Sequence, residues 1–264
     1  MSANYDIKDF IGYNEKMNAT LFDKLFWAER IKYPVSQLID IGCATGTLLR
    51  AYRAMSPNTE LIGIEESLDM KRQLKKNLEN KKYKIKVYSE LEEMPAACKP
   101  GAVINMSSVL HEVYSYKNEG YIQKFWKQIN EKAPEYITIR DMLFDDDCNI
   151  NLDFDIPKAK EAILKSVYSG FFMQFENRWG PVKTNKQMIH FLLKYRYAAN
   201  WNRELNENYF ACTFEDIMTQ LHKNYEIIYR SEFILPWTAQ CAYADFGLTN
   251  LPNNTHQKLI FQKI

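Results

Sequence analysis

Gln37-Leu-Ile-Asp-Ile-Gly-Cys-Ala-Thr-Gly46 decides how the rest of the chain is read. Its first half, Gln37 to Ile41, is a short apolar run between Pro34 and Gly42, the pattern of a strand buried on both faces. Gly42 lets the backbone turn tightly and come close to a ligand. Gly46 opens a predicted helix that runs to Met55 and is stopped by Ser56-Pro57-Asn58. Backbone amides at such a helix start offer donors to the polar end of a ligand.

Working outward, the same rhythm recurs. Strands are predicted at Glu60 to Ile64, Lys84 to Tyr88, Ala102 to Met106 and Tyr136 to Ile139. Helices are predicted from Ser67, a capping residue, to Asn80, and from Gly120 to Lys132. Strands alternating with helices imply an α/β fold with a parallel sheet. Upstream, apolar residues at helical spacing between Asp6 and about Ile31 predict one or two helices. Beyond Asp141 the rhythm breaks: Met142 to Asn224 is mainly helical, and strand-like runs return at Tyr225 to Leu235 and Gln257 to Ile264. A Pro-, Gly- and Asn-rich connection separates those two runs, which are expected to pair antiparallel. The expectation is therefore one domain over residues 1–264, with a doubly wound, mostly parallel seven-stranded sheet and a helical insertion or cap at 142–224.

Glu65 ends the second strand, nineteen residues after Gly46. A carboxylate at that position can accept both hydroxyls of an adenosine ribose. NAD is the competing ligand, but it wants G-x-G-x-x-G, and here Ala44 and Thr47 stand at the second and third glycine positions.

Leu38-Ile-Asp-Ile-Gly-Cys-Ala-Thr-Gly46 resembles the first motif of the class I S-adenosylmethionine methyltransferases, usually V-L-D-x-G-C-G-T-G. Gly63-Ile-Glu-Glu-Ser-Leu-Asp-Met70 resembles their second motif and Glu90-Leu-Glu-Glu-Met-Pro95 their third. Ser107-Ser-Val-Leu-His-Glu112 is similar to the S-x-x-L-H stretch that follows the fourth strand in small-molecule members, and Arg140-Asp-Met142 to their fifth-strand exit. The likeness spans roughly residues 36–142, plus the two terminal strand-like runs. It implies a Rossmann-like fold with S-adenosylmethionine as methyl donor. Asp40, Gly42, Cys43, Ala44 and Gly46 would hold the methionine end, Glu65 the ribose, and Ser89 and Glu90 the adenine, with Ser67, Met70 and Ser107 as further cofactor-binding candidates. Two departures stand out: Ala44 replaces the middle glycine, and glutamates at 65 and 90 replace aspartates, so each carboxylate reaches one methylene farther.

Methyl transfer from a sulfonium needs mainly proximity and alignment, and a base only where the acceptor binds protonated. His111 is the candidate base; Glu112 and Tyr114, expected on the same loop, are candidates for orienting an acceptor. No metal is expected. The carboxylates that magnesium-dependent catechol methyltransferases place after strands four and five are missing, and Asp145-Asp-Asp147 reads as a solvated acidic turn. The aromatics of the insertion (Phe171, Phe172, Phe175, Trp179, Phe191, Tyr195, Tyr197, Trp201) are expected to line an acceptor pocket.

A net charge of +1, from 34 basic and 33 acidic residues, provides no global field for nucleic acid or a membrane. RNA stays open as the alternative acceptor through the basic run Lys71 to Lys86 and the aromatic-basic stretch Tyr195 to Arg203, each of which also reads as an ordinary helix face. A third reading is a non-catalytic binding subunit that keeps the fold. The five cysteines lie far apart without C-x-x-C spacing, and no basic, apolar leader or membrane-length apolar run is visible, so a cytoplasmic protein acting on a small molecule is expected.

Overall fold

A computed structural model describes residues 20–78, 84–94, 97–143, 154–251 and 254–264. Its seven strands are β1 Gln37–Ile41, β2 Glu60–Ile64, β3 Ile85–Tyr88, β4 Ala102–Ser107, β5 Tyr136–Asp141, β6 Tyr225–Phe233 and β7 His256–Lys263. They form one sheet in the order β3-β2-β1-β4-β5-β7-β6. The first five are mutually parallel, and β7 runs antiparallel to both neighbours, β5 and β6. β1, flanked on both sides, is buried along its whole length, as its apolar run requires.

Five helices serve the sheet directly: α1 Leu21–Lys24, α2 Thr47–Met55, α3 Leu68–Leu78, α4 Leu110–Tyr116 and α5 Glu119–Lys132. α2 seats Leu48, Leu49 and Tyr52 on one face of the sheet, while α5 seats Ile122, Phe125, Trp126 and Ile129 on the other. The predicted helix ahead of β1 survives among the described residues as α1 followed by turns. Residues 6–19, and Asn80 at the end of the second predicted helix, lie outside the described residues.

Between β5 and β6 come α6 Ile156–Leu164, α7 Ser169–Trp179, α8 Asn185–Leu192, α9 Trp201–Asn206 and α10 Phe214–Leu221. Their starts are chemically marked: Asp155 caps α6, and capping boxes Thr184/Gln187 and Thr213/Asp216 open α8 and α10. α6 to α9 close around a second core containing Phe172, Phe175, Phe191 and Tyr195. Two boundaries differ from the expectation. α10 belongs to the sheet, because Ile217 and Leu221 join the core under α5. The connection after β6 is not mere loop but α11, Pro236–Phe246, which begins with a proline at its first turn and adds Cys241, Ala242 and Phe246 to the cap core. The cap is thus assembled from two separate stretches of chain, tied together where Asp245 on α11 accepts from Tyr195 Oη (2.6 Å) and from Arg196 Nε and Nη2 (2.7 and 2.6 Å). No helix among the described residues is long and apolar enough to cross a membrane.

Candidate functional site

At the carboxyl end of β1 the chain turns through Gly42, whose φ is +69°. A Cβ there would lie 2.8 Å from Val109 Cγ2 on the loop after β4, so the two strand exits meet only over a glycine. Gly63 is needed for a similar reason: a Cβ would fall 2.6 Å from Cys43 Sγ. Ala44 and Gly46 also have positive φ, +46° and +75°. Ala44 therefore holds the left-handed turn that a middle glycine would adopt freely, at a strain of about 1 kcal/mol.

Glu65 pins this loop. Its two oxygens accept one backbone N–H each, from Ala44 (2.8 Å) and Ser67 (2.8 Å). Burial raises its pKa above the ordinary carboxylate value, and the two amides only partly offset that. Each oxygen keeps a second lone pair for a further donor. Asp40 sits deeper: Oδ1 accepts from Asn105 Nδ2 (2.7 Å), and Asn105 Oδ1 accepts from Trp27 Nε1 (3.0 Å) and Thr138 Oγ1 (2.9 Å). Burial pushes Asp40 up to about 7 against the pull of Asn105 and Lys24.

These groups line a cleft of about 360 Å³. Asp40, Gly42, Cys43, Ala44, Glu65, Ser67, Met70, Ser89, Glu90 and Ser107 all reach its wall, together with Lys24 and Leu21 of α1, which the motif reading does not include. Gly46 stands behind the wall as the residue that starts α2. The donor set suits S-adenosylmethionine: carboxylate lone pairs at Glu65 for a diol, a buried carboxylate at Asp40 for a cation, and a loop closed down onto Gly42.

His111 is placed differently. It lies on α4, not on a loop, and does not line that cleft; Glu112 and Tyr114 share the helix. Asp141, at the end of β5, explains the helix. Its Oδ2 accepts the N–H groups of Val109 (2.9 Å) and Leu110 (2.7 Å), and its Oδ1 those of His111 Nδ1 (2.6 Å) and Met142 (2.8 Å). A carboxylate is thus bound to the first amides of the helix, where its charge is most favourable. On the other side, His111 Nε2 lies 3.3 Å from Glu207 Oε1 of the cap. Burial alone would lower the imidazole pKa, but Asp141 and Glu207 outweigh it and hold His111 well above its ordinary value. His111 is thus enclosed between two carboxylates, one on β5 and one in the cap, and does not face the first cleft.

Under the cap lies a second cavity, of about 610 Å³, which shares Ser108 and Glu112 with the first. His111, Arg140 and Met142 of the sheet edge line it, as do Tyr197, Arg203, Glu204, Glu207 and Tyr209 of the cap and Phe233, Trp237 and Lys258 around the sheet end. Of the eight insertion aromatics expected there, only Tyr197 reaches the wall. Phe172, Phe175, Phe191 and Tyr195 are fully buried in the cap core, and Trp201 stacks on Phe171 with centroids 4.5 Å apart. The same burial removes Tyr195 and Trp201 as a stacking surface for RNA. Of the basic run, Lys71 donates to Ser89 Oγ (2.5 Å), Arg72 pairs with Asp69 and Lys86 with Glu60. Glu204 and Glu207 carry no sequence signal of their own, and Arg203 was legible only as the end of a basic-aromatic stretch; Asp141 was legible as part of the fifth-strand exit Arg140-Asp-Met142.

His111, Glu112 and Glu207 also bring possible ligand atoms within 4.8 Å of one another. The Arg203 guanidinium already occupies that corner, 2.7 Å from Glu112 Oε1 and 3.5 Å from Glu207 Oε2. Asp145 to Asp147 lie outside the described residues.

No family model and no curated protein sequence matches the chain. Solved structures do. A plantazolicin methyltransferase, BpumL, in complex with SAH, is 12% identical and superposes with a TM-score of 0.51, covering 98% of this chain and 91% of its own. An S-adenosylmethionine-dependent methyltransferase from Mesorhizobium loti is 12% identical with a TM-score of 0.52, covering 90% of this chain and 97% of its own. The chain has the class I methyltransferase fold. Both likenesses extend beyond residues 36–142. Within this fold the cleft described above lies beyond the carboxyl ends of the parallel strands, where open α/β sheets bind their ligands.

Proposed function

We propose that the protein transfers a methyl group from S-adenosylmethionine to a small-molecule acceptor held in the second cavity. The observation that carries this reading is the pair of adjoining chambers, one walled by the strand-exit loops and one by the cap, with Ser108 and Glu112 common to both. When bound, S-adenosylmethionine supplies a methyl group already activated by the sulfonium charge. Glu65 would accept from the ribose, Ser89 and Glu90 would contact the adenine, and Asp40 would face the cationic methionine end. Glu112, reached from both chambers, is the residue best placed to orient the acceptor. Asp141 and the His111 imidazolium hold the start of α4 rigid, and the cap excludes water from the chamber.

A cavity of this volume suits a small molecule. RNA is the less favoured acceptor, since Tyr195 and Trp201, two aromatics of the stretch that would stack on bases, are buried. A cytoplasmic location belongs to the same reading and rests on cysteines that lie far apart in the sequence without C-x-x-C spacing. The test is incubation with methyl-labelled S-adenosylmethionine in EDTA, with a small-molecule cell extract and a purified RNA pool as parallel acceptors. Label in a small product supports the proposal. Label in RNA alone, or transfer only when magnesium is restored, overturns it as stated, and failure to bind the donor at all favours a non-catalytic subunit.

A further inference from the structure

We infer that the methyl acceptor carries a carboxylate, bound in the second cavity by Arg140 and Lys258; the inference rests on that cavity being the acceptor chamber. Arg140 leaves the sheet edge with its side chain 3% exposed, yet only two of its three nitrogens have protein partners. Nε donates to Asp23 Oδ2 (2.8 Å), Nη1 donates to Ser108 Oγ (3.0 Å), and Nη2 is buried with no hydrogen-bond acceptor. Leaving a guanidinium donor buried and unmet costs free energy that a bound acceptor atom recovers. Lys258, one strand over on β7, pairs through Nζ with the other oxygen of the same Asp23.

Two cations thus share one carboxylate, and among the described residues neither has another ion-pair partner, so one unit of positive charge is left over in this corner. His256 adds none, because burial and Arg140 hold it neutral. The opposite wall is acidic, with Glu112, Glu204 and Glu207 facing Arg203 and a His111 that Asp141 also holds, so the positive excess is confined to the Asp23 corner. A single excess charge matches a monoanion better than a phosphate dianion. Phe233 lies beneath both cations, 4.3 Å from Lys258 Nζ and 5.5 Å from the Arg140 guanidinium carbon, and gives an apolar or aromatic body something to rest on. Asp23 itself rides on the four-residue helix α1, so it is the natural competitor for an incoming carboxylate.

The probes are benzoate, its neutral isostere benzamide and phenyl phosphate, titrated by NMR into the whole protein with and without SAH. Benzoate should bind about tenfold tighter than benzamide, the worth of one charge-assisted hydrogen bond, and phenyl phosphate no tighter than benzoate. Lys258→Met should erase most of that preference, Lys258→Arg should restore it, and Asp23→Asn should strengthen benzoate binding. The Asp23 result separates a ligand site from a merely structural ion pair. Because Arg140→Gln removes contacts at a buried position, the surface-reaching Lys258 variants carry the test if it fails to fold. Equal binding of benzoate and benzamide, a preference unchanged in Lys258→Met, or tighter binding of phenyl phosphate would each overturn the inference. Since the preference is read without any methyl transfer, its failure is distinguishable from failure of the methyltransferase reading.

Discussion

Each oxygen of Glu65 does two jobs, holding a loop amide and offering a lone pair to a ligand. On the proposed reading, removing the carboxylate strips the ribose partner and loosens the turn at Ala44 together. Glu65→Ala should weaken SAH binding by about 1–3 kcal/mol, the cost of losing a charged acceptor; an unchanged Kd by calorimetry would take Glu65 out of the site. Asp40 makes a pH prediction. With its pKa at about 7, Asp40 is neutral in mild acid and cannot face a cation favourably. Affinity for S-adenosylmethionine should then rise with pH up to about 7, by up to tenfold per pH unit, because binding must first release the Asp40 proton. Above that the gain should stop. Titrations between mild acid and neutrality that show a flat affinity would detach Asp40 from the cationic end of the donor.

At the scale of elements, the Asp141–α4 junction is where the most interactions depend on one side chain. Asp141→Ala would delete four hydrogen bonds, three of them at the helix start, and leave His111 without one of its two carboxylates. We expect a loss of about 3–5 kcal/mol in stability, as for other buried pairs broken on one side, read as a fall in Tm. The pH sign follows from His111. Its folded pKa is raised above the ordinary 6.5, so its contribution is fully present below about that pH and is lost as pH rises through the folded value. The wild type should lose stability on the alkaline side of neutrality, and Asp141→Ala should flatten that decline. The strands and their order of appearance were legible in the sequence, because a parallel sheet writes itself as apolar runs between glycine turns. α4 was not, since its start is fixed by a carboxylate thirty residues away on β5 and its seven residues are too few to show a period. α11 was hidden by the proline that begins it. Among site residues, those in the strand-exit motifs could be read locally, whereas Glu207 and Arg203 owe their positions to cap packing that no local spacing records.

Across the whole molecule, three cores divide the work. One lies on each face of the sheet, together supporting the first cleft, and the third lies inside the cap beside the second cavity. Phe175 is fully buried in the cap core and far in sequence from every donor-site residue. Phe175→Ala should cost about 3–5 kcal/mol and depress methyl transfer through a loosened acceptor chamber. Its SAH affinity should stay within about tenfold of wild type, roughly 1.4 kcal/mol. The measurement that reaches the central claim most directly is the calorimetric titration of SAH into the intact wild-type protein. The two-chamber account predicts a single site of micromolar Kd, built by the sheet edge and therefore present before any acceptor is added. Absence of binding at concentrations far above micromolar would contradict it, because the cleft at Gly42, Asp40 and Glu65 would then not be a donor site.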